Sequence, residues 1–301
     1  MIVGSRRGIE SEEVWQDAKH TLFVEGKESS IDSQALTFFL DKNDIDISIV
    51  PLGSSSKLHA VAQALHQYHP YYYFLIDRDH HDDHFVESCW NNFPDESKHN
   101  LLIWRCREIE NYFLIPEYLA RSEHLSRSRE ELQQCIRETA SKYVFLDIAN
   151  IVILQLKQEL NKDWIEPFKY TGTTEFSGRD TTLAKLKDTY EAAKQTCDVL
   201  EQLHEYPIFD RFNETIGKFF GGQDELEFGH GSWLKMIKGK HVLRTVIDKC
   251  FRVPDRTGKY LQGNERCMEV VKSLLKLPLE YQPSDFNDLY KLISARVSKR
   301  T

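Results

Sequence analysis

Three acidic residues carry the strongest chemical signal in this chain: Glu25 in Leu22-Phe23-Val24-Glu25-Gly26, and Asp77 and Asp79 in Phe74-Leu75-Ile76-Asp77-Arg78-Asp79. Glu25 and Asp77 each stand directly behind an apolar run, where a buried strand would end. Asp77 and Asp79 are two residues apart, so in an extended chain their side chains share one face and Arg78 takes the other. Two carboxylates about 4 Å apart repel by roughly 4 kcal/mol at an effective dielectric of 20, and a third from Glu25 adds to that. A hard divalent ion, Mg²⁺ or Mn²⁺, relieves the repulsion through oxygen ligands and keeps positions for water and a phosphate oxygen. The chemistry expected is metal-dependent hydrolysis of a phosphodiester, with Glu25 doubling as the base that activates water.

The elements that must position these acids follow from the hydrophobic pattern. Residues 21–26 (TLFVEG), 45–52 (IDISIVPL), 71–76 (YYYFLI) and 100–106 (NLLIWRC) read as strands, with helical patterns at 30–40 and 57–66 between them. Ser29-Ser30-Ile31-Asp32 has the form of a helix cap. Alternating strands and helices predict an α/β fold with a mainly parallel sheet flanked by helices. Active residues of such sheets lie beyond the carboxyl ends of the strands, and the three acids fall there. From about residue 116 onward the pattern is helical, over 130–143, 145–160, 182–204, 211–220, 233–249, 265–275 and 286–297. The expected organisation is a catalytic domain over 1–120 and a mainly helical domain over 121–301.

At 301 residues the chain can bury one large core or two ordinary ones, and 41% hydrophobic residues with 29% charged exclude a collagenous or low-complexity protein. No apolar run reaches the roughly 18 residues of a membrane span, and the first residues lack the apolar core of a secretory signal, so the expectation is a cytoplasmic protein without membrane contact. The six cysteines are scattered singly, which argues against zinc ribbons and for reduced thiols. Net charge is −8, but residues 231–301 hold 15 Lys and Arg against 7 Asp and Glu. That basic C-terminal portion suits nucleic acid, whereas the acidic body repels it except where divalent cations intervene.

Within the basic portion, Lys235, Lys238, Lys240, His241 and Arg244 cluster about Gly239, which would let backbone approach a phosphate. They form a candidate substrate clamp, with Lys240 as the cation that stabilises charge on phosphorus; an exposed helix face accounts for them equally well. Ser54 to Lys57 open a helix after Gly53, which suits anion binding through free N–H groups and suits simple capping as well. His80-His81-Asp82-Asp83-His84 is read as a polar loop rather than a zinc site, because contiguous residues rarely converge on one tetrahedral centre. The aromatic run 71–74 is read as core.

The first acidic segment, Leu22 to Gly26, resembles the first Toprim motif, and Phe74 to Asp79 resembles the paired-aspartate motif. Arg107-Glu108-Ile109-Glu110-Asn111-Tyr112-Phe113-Leu114 and Trp233-Leu234-Lys235-Met236-Ile237-Lys238-Gly239-Lys240 are similar to segments of the bacterial OLD-like Toprim nucleases, a family that includes effectors of PARIS anti-phage systems. The resemblance covers most of the chain, least distinctively in the middle helical part. It implies a Toprim-type domain using Mg²⁺ at Glu25, Asp77 and Asp79. It further implies an effector held by an ABC-type ATPase subunit, released as a homodimer when a phage protein is sensed, that cleaves host tRNA in the anticodon region. OLD-type nucleases in general imply a DNA substrate instead, and a non-catalytic sensor or binding subunit of an ATPase complex is the reading from another class. One departure stands out: many relatives place an acid at a fixed offset after Glu-Gly, whereas here Glu28 comes one position early and Ser29 takes the usual place. Glu28, Asp32 and Glu110 compete for the fourth ligand position, with Glu110 favoured because it follows a predicted strand.

Overall fold

The computed structural model describes residues 20–65, 69–79, 81–93, 100–160, 167–169, 176–196 and 208–298. In chain order the elements are β1 (Thr21–Val24), α1 (Ile31–Lys42), β2 (Ser48–Pro51), α2 (Ser55–Leu65), β3 (Tyr72–Ile76), α3 (Asp83–Asn92) and β4 (Leu101–Ile103). Helices follow: α4 (Glu110–Phe113), α5 (Pro116–Leu119), α6 (Arg129–Ser141), α7 (Val144–Leu160), α8 (Arg179–Thr196) and α9 (Ile208–Phe220). Then come α10 (Trp233–Met236), α11 (Gly239–Cys250), α12 (Gly263–Leu275), a 3₁₀ turn at Leu279–Tyr281 and α13 (Ser284–Val297). Among the described residues no single helix is long and apolar enough to cross a membrane. The five described cysteines are free thiols.

Two compact units interleave along the chain. The sheet unit takes residues up to Ile76, Glu87–Ile103 and everything from Ser284, and the helical unit takes Asp77–Val86 and Trp104–Pro283.

In the sheet unit four strands pair in parallel in the order β2-β1-β3-β4, so the α/β class and the parallel sheet hold. Strand residues of both parities are buried, Leu22, Phe23 and Val24 in β1 and Tyr73 to Ile76 in β3, as expected of a parallel sheet covered on both faces. Successive strands lie on opposite sides of β1, so the strand order reverses between β1 and β3. The crevice beyond the carboxyl ends at such a reversal is where open α/β sheets bind ligands. The N-cap of α1 is Ser30, whose hydroxyl accepts the Ser33 N–H at 3.3 Å. The turns after β1 and β2 are tied together: the Gly26 N–H donates to the Gly53 carbonyl at 2.8 Å and the Gly53 N–H returns to Gly26 at 3.3 Å. Gly26 holds φ at 99°, which an L side chain would resist. Phe286 of α13 meets Phe39 of α1 edge-on, ring centroids 5.2 Å apart, so the last helix completes the core around the first.

The helical unit starts α6 with a full capping box, Ser128 accepting the Glu131 N–H and Glu131 accepting the Ser128 N–H. The helix expected over 233–249 is two helices broken at Ile237 and Lys238. Both residues take extended ψ values, 160° and 91°. Tertiary hydrogen bonds replace the helical ladder there. Asn111 Nδ2 donates to the Leu234 and Ile237 carbonyls at 2.9 Å each, and Arg107 donates to the Met236 carbonyl at 3.2 Å. Of the 80–84 stretch expected as a polar loop, Asp83 and His84 instead open α3, started by Asp82, whose Oδ1 accepts the Phe85 N–H at 2.8 Å.

Candidate active site

In the sheet unit Val24 lies opposite Leu75, so the chain leaves β1 at Glu25 and leaves β3 at Asp77 within one residue of the same level. Glu25 is half-buried and precedes the Gly26 turn, Glu28 is exposed, and Asp32 is half-buried in the first turn of α1. Ser54 is exposed; the Lys57 side chain lies outside the described residues.

The helical unit begins with Asp77. Its carboxylate is half-buried, with Oδ1 out of solvent. The extended geometry expected to align Asp77 with Asp79 stops short, because Asp79 sits in the left-handed region with φ 47°. That conformation costs an L residue about 1 kcal/mol, least for Asp and Asn. The cause is Arg78. Its N–H donates to the Arg107 carbonyl at 3.0 Å, Nη1 donates to the Arg105 carbonyl at 2.9 Å, and Nε donates to the His81 carbonyl at 3.0 Å. Nη2 stands 2.8 Å from Asp83 Oδ1, so four bonds draw Arg78 inward and turn the chain over it. Asp83 also meets Lys235 Nζ at 3.1 Å. Burial alone would raise the Asp83 carboxyl, but Lys235 and Arg78 together hold it below its ordinary range. In the histidine-rich stretch His80 lies outside the described residues, His81 packs on Phe85 with ring centroids 5.2 Å apart, and His84 is exposed.

Around Gly239 the structure gathers groups that the sequence reading did not single out. Arg107 Nη1 meets Asp147 Oδ1 at 2.6 Å, with the Asp147 side chain fully buried. Asp147 Oδ2 accepts the Lys238 N–H at 3.1 Å, and Glu108 Oε2 accepts the Lys240 N–H at 2.9 Å. These two carboxylates take two of the amides at the start of α11, where Gly239 was expected to let backbone approach a phosphate. Gly239 is required by Asn111 rather than by a ligand: a Cβ there would stand 2.7 Å from Asn111 Oδ1 and 2.8 Å from its backbone nitrogen. Burial pushes the Glu108 carboxyl up, with Asp147 adding to the rise, against the Lys240 amide and the Arg107 and Lys238 charges. Asp147 had a readable signal, an acid inside the apolar run Val144-Phe145-Leu146-Asp147-Ile148-Ala149, which a fold tolerates only with a partner.

Of the proposed clamp, the Lys240 and Arg244 side chains are exposed, whereas Lys235 and Lys238 are half-buried. His241 is half-buried and stacks on Tyr143, ring centroids 5.7 Å apart. Burial, then the Lys238 charge, lowers its pKa; Asp147 opposes this, and Lys240 and Arg107 add to it. Glu110 is buried at the start of α4, where its charge helps raise the Cys267 thiol after burial has done most. Among the described residues no three His, Cys, Asp or Glu side chains are gathered into a metal-ligand set as they stand.

No protein-family model matches this chain, and no curated protein matches it. The segments Arg107–Leu114 and Trp233–Lys240, quoted above for their family likeness, are direct packing partners, since the Arg107 N–H donates to the Lys235 carbonyl at 2.8 Å and Asn111 holds Leu234 and Ile237.

Proposed function

We propose that the protein is a metal-dependent endonuclease that hydrolyses RNA phosphodiesters. The observation that carries this reading is the exit of Glu25 from β1 and Asp77 from β3, neighbouring parallel strands at the reversal of the sheet order. The donor chemistry fits Mg²⁺ or Mn²⁺, because Glu25, Asp77 and Asp79 offer only hard oxygen ligands and one Asp77 oxygen is already out of solvent. Bound there, such an ion supplies Lewis-acid stabilisation of a phosphate oxygen and an acidified water. Glu25 takes the proton of the attacking water at its carboxylate. Lys240 and Arg244, both exposed on α11 of the helical unit, are the cations that unit offers to a phosphate backbone. Glu110, buried at the start of α4, Asp32, half-buried in α1, and Glu28, exposed after the Gly26 turn, are the alternatives for a fourth ligand.

The Toprim resemblance supports tRNA as the RNA and an ABC-type ATPase subunit as the partner that restrains the nuclease until it is released as a dimer. The test is incubation of purified protein with Mg²⁺ and either total tRNA or plasmid, with direct measurement of Mn²⁺ uptake alongside. We expect tRNA to be cut and both Glu25→Gln and Asp77→Asn to abolish cutting and weaken uptake, with circular dichroism unchanged. Full activity in folded Glu25→Gln overturns the reading. Cleavage of plasmid alone moves it to DNA, and no carboxylate-dependent cutting together with stable ATPase binding moves it to a non-catalytic subunit.

A further inference from the structure

We propose that a cavity in the helical unit, beside the turn that carries Asp77 and Asp79, is a nucleobase pocket that seats one base of the substrate against the ring of Phe228. This rests on the phosphodiester reading above and names the part of the substrate that this unit holds. The cavity measures about 360 Å³, at the small end of ligand pockets, which suits one nucleoside. Phe228 and Trp233 line it, and Phe228 is half-buried with its centroid 5.2 Å from buried Trp233, so the ring is backed and oriented. Trp233 is anchored in turn, Nε1 donating to the Glu227 carbonyl at 2.9 Å.

The wall is rigid. A Cβ on Gly231 would stand 2.0 Å from the Phe219 carbonyl oxygen, and one on Gly221 would stand 2.3 Å from the Gly231 nitrogen. Ser232 closes the fold-back, its N–H and its hydroxyl both donating to the Lys218 carbonyl, at 2.9 and 3.2 Å. A pocket built on such close approaches is formed before the ligand arrives.

Charge selects the ligand. No carboxylate lines the cavity, whereas Lys235 does. Lys235 Nζ reaches Asp83, which also pairs with Arg78 between Asp77 and Asp79, so Lys235 and Arg78 together outnumber the one acid that links the pocket to that turn. A nucleotide with its base on Phe228 therefore places its phosphate toward Lys235. Asn111, the amide side chain in the lining, is spent on the fold through Leu234, Ile237 and the Glu108 N–H. Recognition is consequently by the face of the base, which accepts purine and pyrimidine alike.

The test is calorimetric titration of AMP and UMP into the full-length protein in EDTA, where no metal chemistry operates. Both nucleotides are expected to bind. Phe228→Leu should weaken each about tenfold or more, and Phe228→Tyr should restore binding. A second measurement needs no pocket variant: Cys106 lines the cavity with a half-exposed thiol, so AMP should slow its alkylation by iodoacetamide, read by mass spectrometry of its peptide. Absence of AMP and UMP binding, unchanged affinity in folded Phe228→Leu, or no protection of Cys106 overturns the proposal. Because metal is absent throughout, failure of the nuclease reading leaves this binding intact, and failure of the pocket leaves the Glu25 and Asp77 test to stand alone.

Discussion

Arg107 and Asp147 meet at 2.6 Å inside the helical unit, and the second oxygen of the same carboxylate takes the Lys238 amide at 3.1 Å. One acid on α7 thus fixes both Arg107, four residues past β4, and the break that starts α11. Buried pairs are costly to break because the surviving charge is stranded. Asp147→Ala should lose about 3 to 5 kcal/mol in urea unfolding, and adding Arg107→Met should recover part of it. A loss below about 1 kcal/mol would sink the assignment of this pair as structural.

Gly239 and Gly217 should respond to alanine with opposite signs. At Gly239 the new methyl runs into Asn111 at 2.7 Å, whereas nothing lies within 4 Å of a Cβ on Gly217 in the last turn of α9. Gly239→Ala should cost about 1 to 3 kcal/mol, and Gly217→Ala should add about 0.5 to 1 kcal/mol through helix propensity. Thermal melts of both variants read the difference, and equal effects would refute the close approach.

His241 should give the helical unit a pH dependence. Its depressed pKa means that the unfolded chain, near the ordinary 6.5, binds a proton the folded protein refuses. The stability it contributes is complete above that value and is lost as pH falls through the lowered folded value. Urea midpoints should therefore drop between about pH 7.5 and about pH 5.5, and His241→Phe, which keeps a ring against Tyr143, should drop less. An identical fall in the two proteins would show that other groups carry it.

β1, β3 and β4 were legible because their apolar runs are buried on both faces, whereas β2, exposed or half-buried throughout, was legible by alternation, and the two acids that follow β1 and β3 were legible because a charge directly behind a buried run marks its end. The break at Ile237 and Lys238 was not, because it is imposed by Asn111, 126 residues earlier than Ile237, and local pattern sees only one continuous helix. Glu108 and Asp147 escaped for the same reason: their partners are backbone amides of Lys240 and Lys238, which no spacing rule connects to them. The left-handed turn at Asp79 was not legible, because it accompanies four bonds that Arg78 makes to distant or later residues.

The pairing of Phe286 with Phe39 has a temporal side. A ribosome that has finished β4 must still make the whole stretch through Pro283 before α13 emerges. At ordinary elongation speeds that interval is on the order of ten to forty seconds. During it the nascent sheet lacks the helix that packs Phe286 on Phe39, so β1 and β3, which lead into Glu25 and Asp77, wait on a helix made only after the whole helical unit.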